Sequence, residues 1–266
     1  MRRSLALIVA VLLLAAGTAA ADEAADKPRE TMTMPKGKLV VNGFIEINLS
    51  ENAAFKPVSL TPDVWYGVND KLTLGLVHSS IAASGFVGGV ADSLCITGLT
   101  RGCAKIYRNV GLKARYRLKA PWTFDGGLLF PSVAQPTLVD IQAGASGRWR
   151  FKKIVVEFQP NLVIAVNQRS SGSDVLQPRS QRLNLPGTVG YTVALKIELN
   201  AQLGLSVPTS SAGDFYTVPF SVGGRYMYKP NISFGLMFAL PALLAGGKLT
   251  SGISTRTLIL GVTYAR

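Results

Sequence analysis

Polar and apolar residues alternate along most of the chain. In the stretch from Lys196 to Val207, the residues Ile197, Leu199, Ala201, Leu203, Leu205 and Val207 alternate with Lys196, Glu198, Asn200, Gln202, Gly204 and Ser206. Successive side chains of a β-strand point to opposite faces, so this stretch is a strand with one oily and one wet face. From Val155 to Asn167, Val156, Phe158, Leu162, Ile164 and Val166 oppose Glu157, Gln159, Asn161 and Asn167. Between Ile106 and Leu118, Val110, Leu112, Ala114 and Tyr116 share a face, and Lys113, Arg115 and Arg117 share the other.

The same rule predicts twelve strands, over 38–49, 58–68, 71–79, 105–118, 121–131, 137–151, 154–168, 181–194, 196–207, 215–228, 231–240 and 254–265. Short turns alternate with longer connections. The short set is Asn69-Asp70, Lys119-Ala120, Lys152-Lys153, Ala194-Leu195 and Lys229-Pro230, and the long set includes 80–104, 169–180 and 241–253. An even strand count puts both termini on the short-turn side.

Beyond residue 21 the chain has no apolar run of 18 residues, and the nearest, Gly235 to Gly247, is interrupted by Pro241. A helical membrane protein is thereby excluded. The first residues are an address instead. Arg2 and Arg3 precede an apolar run from Leu5 to Ala16, and Ala19-x-Ala21 ends the segment before Asp22. This is the pattern of a secretory signal peptide at 1–21, cleaved after Ala21. Residues 22–36 are polar, carry charges of both signs and hold Pro28 and Pro35, which predicts a flexible periplasmic lead-in ahead of the β domain at 37–266.

Composition narrows the class. Of 266 residues, 48 % are hydrophobic and 16 % charged, against a usual charged share of about 25 %. A disordered chain and a coiled coil are both excluded. One histidine and two cysteines leave no set of zinc ligands, and no cofactor is expected. The net charge is +13, and removal of Arg2 and Arg3 with the signal brings it to +11. Export and the lack of a basic helix argue against nucleic acid as the partner of that charge. Contact with lipopolysaccharide phosphates and outer-membrane lipids accounts for it better.

The alternation fits two architectures. With the apolar faces inward it describes a secreted β-sandwich or a lipocalin-like barrel. With the apolar faces outward it describes a closed barrel in lipid, the arrangement in which every strand pairs its backbone without leaving an edge. The wet face is too poor in bulky residues to form a second core, and the other carries aromatics near strand ends: Trp122, Phe124, Phe130, Trp149, Phe151, Tyr226, Tyr228 and Tyr264. Such girdles, with short turns at one end and longer loops at the other, favour the transmembrane barrel.

Over 38–266 the chain resembles a bacterial outer-membrane β-barrel of the porin-like kind. Tyr-Gly-Val-Asn-Asp-Lys-Leu-Thr-Leu-Gly-Leu at 66–76 is similar to the strand–turn–strand hairpin of such proteins. Thr255 to Arg266, with Gly261 and Tyr264, resembles their C-terminal assembly signal, although it ends Ala265-Arg266 where the family usually ends on an aromatic residue. The resemblance implies an all-β, up-and-down antiparallel barrel in the bacterial outer membrane, inserted by the barrel-assembly machinery and passing small solutes.

By parity the lumen receives Lys38, Lys113, Arg115, Arg117, Arg148, Arg150, Arg182, Lys196 and Arg225, against Glu46, Asp63, Asp125, Asp140, Glu157 and Glu198. Nine bases against six acids leave +3, which predicts a mild anion preference for a passive channel. Lys113, Arg115, Arg117, Arg148, Arg150, Arg225, Glu157, Glu198 and Asp140 are the expected pore-lining set. The alternative is that these groups pair across the lumen and fill it, giving a plugged structural or adhesive barrel. Twelve strands lie between the eight that hold only side chains and the sixteen that hold a water channel.

Cys95 and Cys103 fall in the longest loop, and an oxidising compartment predicts a disulfide between them. His78-x-Ser80 raises a further alternative, an outer-membrane lipid hydrolase. Outer-membrane phospholipase A and lipid A deacylase carry such a pair on an outward strand face, and His78 and Ser80 share the parity of Leu72, Leu74 and Leu76. Asp92 is a possible third member. No Asn follows the Ser, as it does in the phospholipase.

Overall fold

The computed structural model describes residues 29–51, 56–88, 93–101, 103, 107–133, 137–167 and 180–266. The signal segment 1–21, residues 22–28 of the lead-in and Asp92 lie outside them.

Twelve antiparallel strands close into a barrel. They are β1 (Leu39–Asn48), β2 (Val58–Asn69), β3 (Leu72–Val77), β4 (Val110–Arg117), β5 (Trp122–Ser132) and β6 (Leu138–Phe151). After them come β7 (Ile154–Phe158 and Asn161–Ala165), β8 (Arg182–Ala194), β9 (Ile197–Pro208), β10 (Thr217–Lys229), β11 (Ile232–Ala245) and β12 (Thr257–Ala265). Each pairs with its sequence neighbours, and β12 returns to β1 through Leu260↔Ile45 and its neighbours, so no edge is left.

The apolar faces point out. Leu199 is 50 % exposed and Leu236 53 %, while Gln202 is 6 % exposed and Asp63 1 %. Soluble proteins bury the first kind and expose the second, so only a hydrocarbon surround reconciles both. Aromatic residues crowd the short-turn end of the outer surface. Tyr66, Tyr116, Trp122, Tyr191, Tyr226, Tyr228 and Tyr264 are all exposed there, and Trp122 meets Trp149 edge to face at 5.4 Å.

Several strand ends differ from the periodic reading by a few residues, and four of the differences have a clear physical reason. β3 stops at Val77 instead of 79, and β4 starts at Val110 instead of 105. Both follow from a loop that leaves the wall for the lumen. β7, read as continuous, breaks at Gln159-Pro160, because Pro160 has no N–H to give the ladder. β11 runs on past 240 to Ala245. Its Pro241 lies at a register shift opposite Val218 to Phe220, a bulge where the missing N–H costs nothing.

Candidate functional site: the lumen and its inward strap

Three pairs of lining charges sit in register on neighbouring strands. Arg115 of β4 meets Asp125 of β5 at 3.0 Å, and the two are direct cross-strand partners. Arg148 of β6 meets Glu157 of β7 at 2.6 Å. Arg225 of β10 meets Glu198 of β9 at 3.0 Å. Side chains opposite one another on one face lie closest, so the pairing is a consequence of register. Arg115 also stacks 4.1 Å above the Trp65 ring. Arg117 Nε donates to Thr33 Oγ1 at 3.3 Å. Arg150 lies on the same face as Arg148, at the short-turn end of β6, and Asp140 is buried at its other end.

Lys113 does something else. It is buried, and its ammonium donates to the carbonyl of Ala82 at 2.6 Å. Ala82 belongs to a strap, residues 78–88, that turns inward where β3 ends. Asp63 makes the turn. Its carboxylate accepts the backbone N–H groups of His78 at 2.6 Å and Ser79 at 2.9 Å, and the Ser79 hydroxyl. These bonds replace ladder bonds that β3 no longer makes. Ser79 then caps a single helical turn, α1 (Ser80–Ser84), by accepting from Ala82 N, and Gly85 ends it at φ 89°.

The strap crosses to the far wall. Asn161 of β7 donates to Ser84 O at 2.8 Å. Gln202 of β9 donates to Gly85 O at 2.8 Å and accepts from Val87 N at 2.7 Å. A Cβ on Gly204 of β9 would stand 2.4 Å from the Phe86 ring, so that glycine makes room for the strap. Val87 packs on Ala239 of β11 and Ile259 of β12, with Ile81 and Phe44 beside them. Ala82 packs on Trp65, Val77 and Leu129. The interior at mid-height is thus held by both polar and apolar contacts around the wall.

The chain then returns to the wall. Leu94–Cys95 pairs with Ser59 and Leu60 of β2, occupying the edge that the short β3 leaves open. A disulfide joins Cys95 to Cys103. It closes this return segment on itself at the long-loop end of the barrel.

The described part of the lead-in, 29–36, also lies against the wall. Lys36 N donates to Asp70, Met34 N to Thr73 Oγ1 and Met32 N to Thr123 Oγ1. Met34 packs against the Trp65 cluster. Arg29–Glu30 pairs with Trp149 and Arg148 of β6, where β6 extends past the start of β5. Composition alone reads the segment as flexible. These anchors, two threonine hydroxyls, one turn carboxylate and a strand edge, lie far away in the chain and leave no mark in its own sequence.

Above the strap, on the long-loop side, a cavity of about 460 Å³ opens between β4 and β8. Ala83 and Ser84 lie in its floor, and Arg108, Asn109, Asp140, Arg182 and Asn184 supply its charged and amide groups.

His78 and Ser80 are not on an outward strand face, which corrects the placement drawn from parity. The strand has already ended at Val77. His78 is buried, with Nδ1 against Pro62 O at 2.5 Å and Nε2 against the Tyr107 hydroxyl at 2.8 Å. Both ring nitrogens are engaged away from Ser80, which begins α1 inside the barrel. Of the residues that hold the strap, Lys113 was in the expected lining set and Asp63 among the expected inward acids, while Asn161, Gln202 and Gly204 were in neither.

No family model matches the chain, and no curated protein does. Solved structures do. The NanC porin aligns with TM-score 0.55 at 12 % identity, over 85 % of this chain and 98 % of that one. An outer-membrane channel from Pseudomonas putida F1 aligns with TM-score 0.52 at 13 % identity, over 92 % and 100 %. The KdgM porin, solved in complex with disordered oligogalacturonate, aligns with TM-score 0.51 at 10 % identity, over 85 % and 98 %. At such identities the likeness is one of fold: this chain is a porin-like twelve-stranded barrel.

Proposed function

We propose that the protein is an integral barrel of the bacterial outer membrane and acts as a channel for passive diffusion of small solutes, with a mild anion preference. One observation carries this reading: a closed barrel, apolar outside, encloses a charged interior narrowed by a strap that is held in large part by polar side chains. Such contacts exchange with water more readily than a packed core does, so a hydrated path past the strap is accessible. The anion preference rests on the pairing. Arg115, Arg148 and Arg225 each have a carboxylate partner. Arg117 at the short-turn mouth and Arg182 at the other meet hydroxyls instead, which leaves their charge uncompensated by those contacts.

Refolded protein in a planar bilayer under a salt gradient should show discrete conductance steps and a reversal potential displaced toward the chloride equilibrium value. A cation-directed reversal removes the anion preference, and silence in the bilayer removes the channel. Silence would favour the second reading, a plugged structural barrel. That reading draws on the Trp65–Val77–Ala82–Leu129 cluster, with Met34 against it, which packs one side of the lumen like a protein core.

A further inference from the structure

We infer that the cavity above the strap is a binding site for a small monocarboxylate with a compact apolar body, and that Arg182 is its anchor. This rests on the channel reading for its purpose, since the cavity would be the solute's outer vestibule. Its existence as a site is testable without conduction.

Position comes first. The cavity is formed by the long-loop ends of six consecutive strands, β3 to β8, and the strap floors it. A solute entering from the loop side meets it before the constriction. Its volume of about 460 Å³ falls in the range of small-molecule sites.

The lining then sets the ligand's chemistry. One wall is apolar, made by Leu129, Pro131, Leu138 and Val163. Across from a mostly apolar wall, a few convergent polar groups fix orientation. Among the described residues, two guanidinium groups, Arg108 and Arg182, and one carboxylate, Asp140, border the same space, a formal charge of +1. A monoanion neutralises that charge, whereas a dianion would overshoot it and a cation would add to it. Arg108 is tied to the wall through Nε and Pro131 O at 3.3 Å. Arg182 is held from one side, with Nη1 on Ser206 Oγ at 3.2 Å. Its planar fork keeps further N–H groups for a carboxylate, which it can hold through two parallel bonds. Asn184, beside it in the lining, is itself fixed by bonds to Asn161 and Ser206. The site is therefore polar at one end and oily along one side, and the matching solute is an aromatic or branched aliphatic acid. A sugar, with hydroxyls all round, would leave polar groups unpaired against Leu129, Leu138 and Val163.

The test is an equilibrium titration of refolded wild-type protein in detergent with sodium benzoate, followed by calorimetry. Saturable binding at one site is expected. Benzyl alcohol has the body without the charge and acetate the charge without the body, and both should bind at least about tenfold more weakly. Arg182→Gln should lower benzoate affinity by about tenfold or more, and Arg182→Lys, which keeps the charge but loses the fork, by less. Heat-modifiable gel migration checks that each variant is folded. If Arg182→Gln fails that check, Arg182→Lys and Val163→Asn carry the comparison, both weakened against benzoate. Benzoate binding unchanged in the folded variants, acetate equal to benzoate, or no saturation at all overturns the site. A barrel that binds benzoate but never conducts would sink the channel reading and keep the site. A conducting barrel indifferent to benzoate would do the reverse.

Discussion

Alanine at position 63 should open the barrel and loosen it. Asp63 is 1 % exposed, and its carboxylate takes three donors from the first two residues of the strap. Hydrogen bonds to a charged acceptor contribute about 1.5–3 kcal/mol each, and buried donors left unmet cost more than the average bond gains. The three act together, so their sum is not additive. A loss of about 3–5 kcal/mol in unfolding free energy is the expected scale. The larger effect should be on conduction. With the inward turn unsecured, the strap keeps its polar anchors on Lys113, Asn161 and Gln202, the His78 ring bonds and the packing of Ala82 and Val87, and with its entry free to swing, single-channel conductance should rise several-fold. Urea titration in micelles reads the stability, and bilayer recordings read the conductance. Asp63→Asn separates the two roles: the amide oxygen still accepts both backbone N–H groups, but its NH2 replaces the acceptor of the Ser79 hydroxyl and the charge is lost, so an intermediate phenotype is expected. A wild-type conductance in Asp63→Ala would show that the far anchors hold the strap by themselves.

The wall was legible because one physical rule governs all of it. Period-two alternation assigns a face to each residue, and a lipid surround needs that face to be apolar along the whole span. Leu199 out and Gln202 in follow from parity alone. Parity fails where the chain stops being a strand. Leu72, Leu74 and Leu76 lead the eye on to His78 and Ser80, yet the chain has left the sheet. A local signal for this was present. Ser79, then Ala82-Ala83, then Gly85, is the order of an N-cap, a helical turn and a left-handed terminator. Read as a helix signal, it would have competed with the strand.

The interior was less legible for a different reason. Which charges would face the lumen is a matter of parity, but which would meet depends on register, and register is set by turns and bulges across the sheet. Arg148 opposite Glu157 is a product of the two-residue turn Lys152-Lys153, and Arg225 opposite Glu198 of the longer connection 209–216 between their strands. Gln202 and Asn161 looked like ordinary wet-face amides. Their role exists only because a segment more than 70 residues away in sequence folds onto them.

The lead-in yields the most discriminating experiment. Gly67 lies on the inner face of β2, where a Cβ would stand 2.0 Å from Pro35 O and 2.9 Å from Pro35 C. Both atoms are backbone, so they cannot swing aside as a side-chain tip would. Gly67→Val should therefore expel the segment from the wall. The bonds from Met34 N to Thr73 and from Met32 N to Thr123 are lost, as is the pairing of Arg29–Glu30 with β6. Trypsin should then cut after Arg29 at least about tenfold faster, since cleavage follows local opening. The same substitution should widen the short-turn mouth and raise conductance. Removal of residues 22–35 should raise it to the same degree. Combining the two settles the cause: with Pro35 gone the valine has nothing to strike, so Gly67→Val should have no further effect in the truncated barrel. A double-variant cycle measures that coupling directly. If the valine instead lowers conductance or stability as much in the truncated chain as in the full one, its effect lies in the wall of β2, and the lead-in is not what Gly67 accommodates.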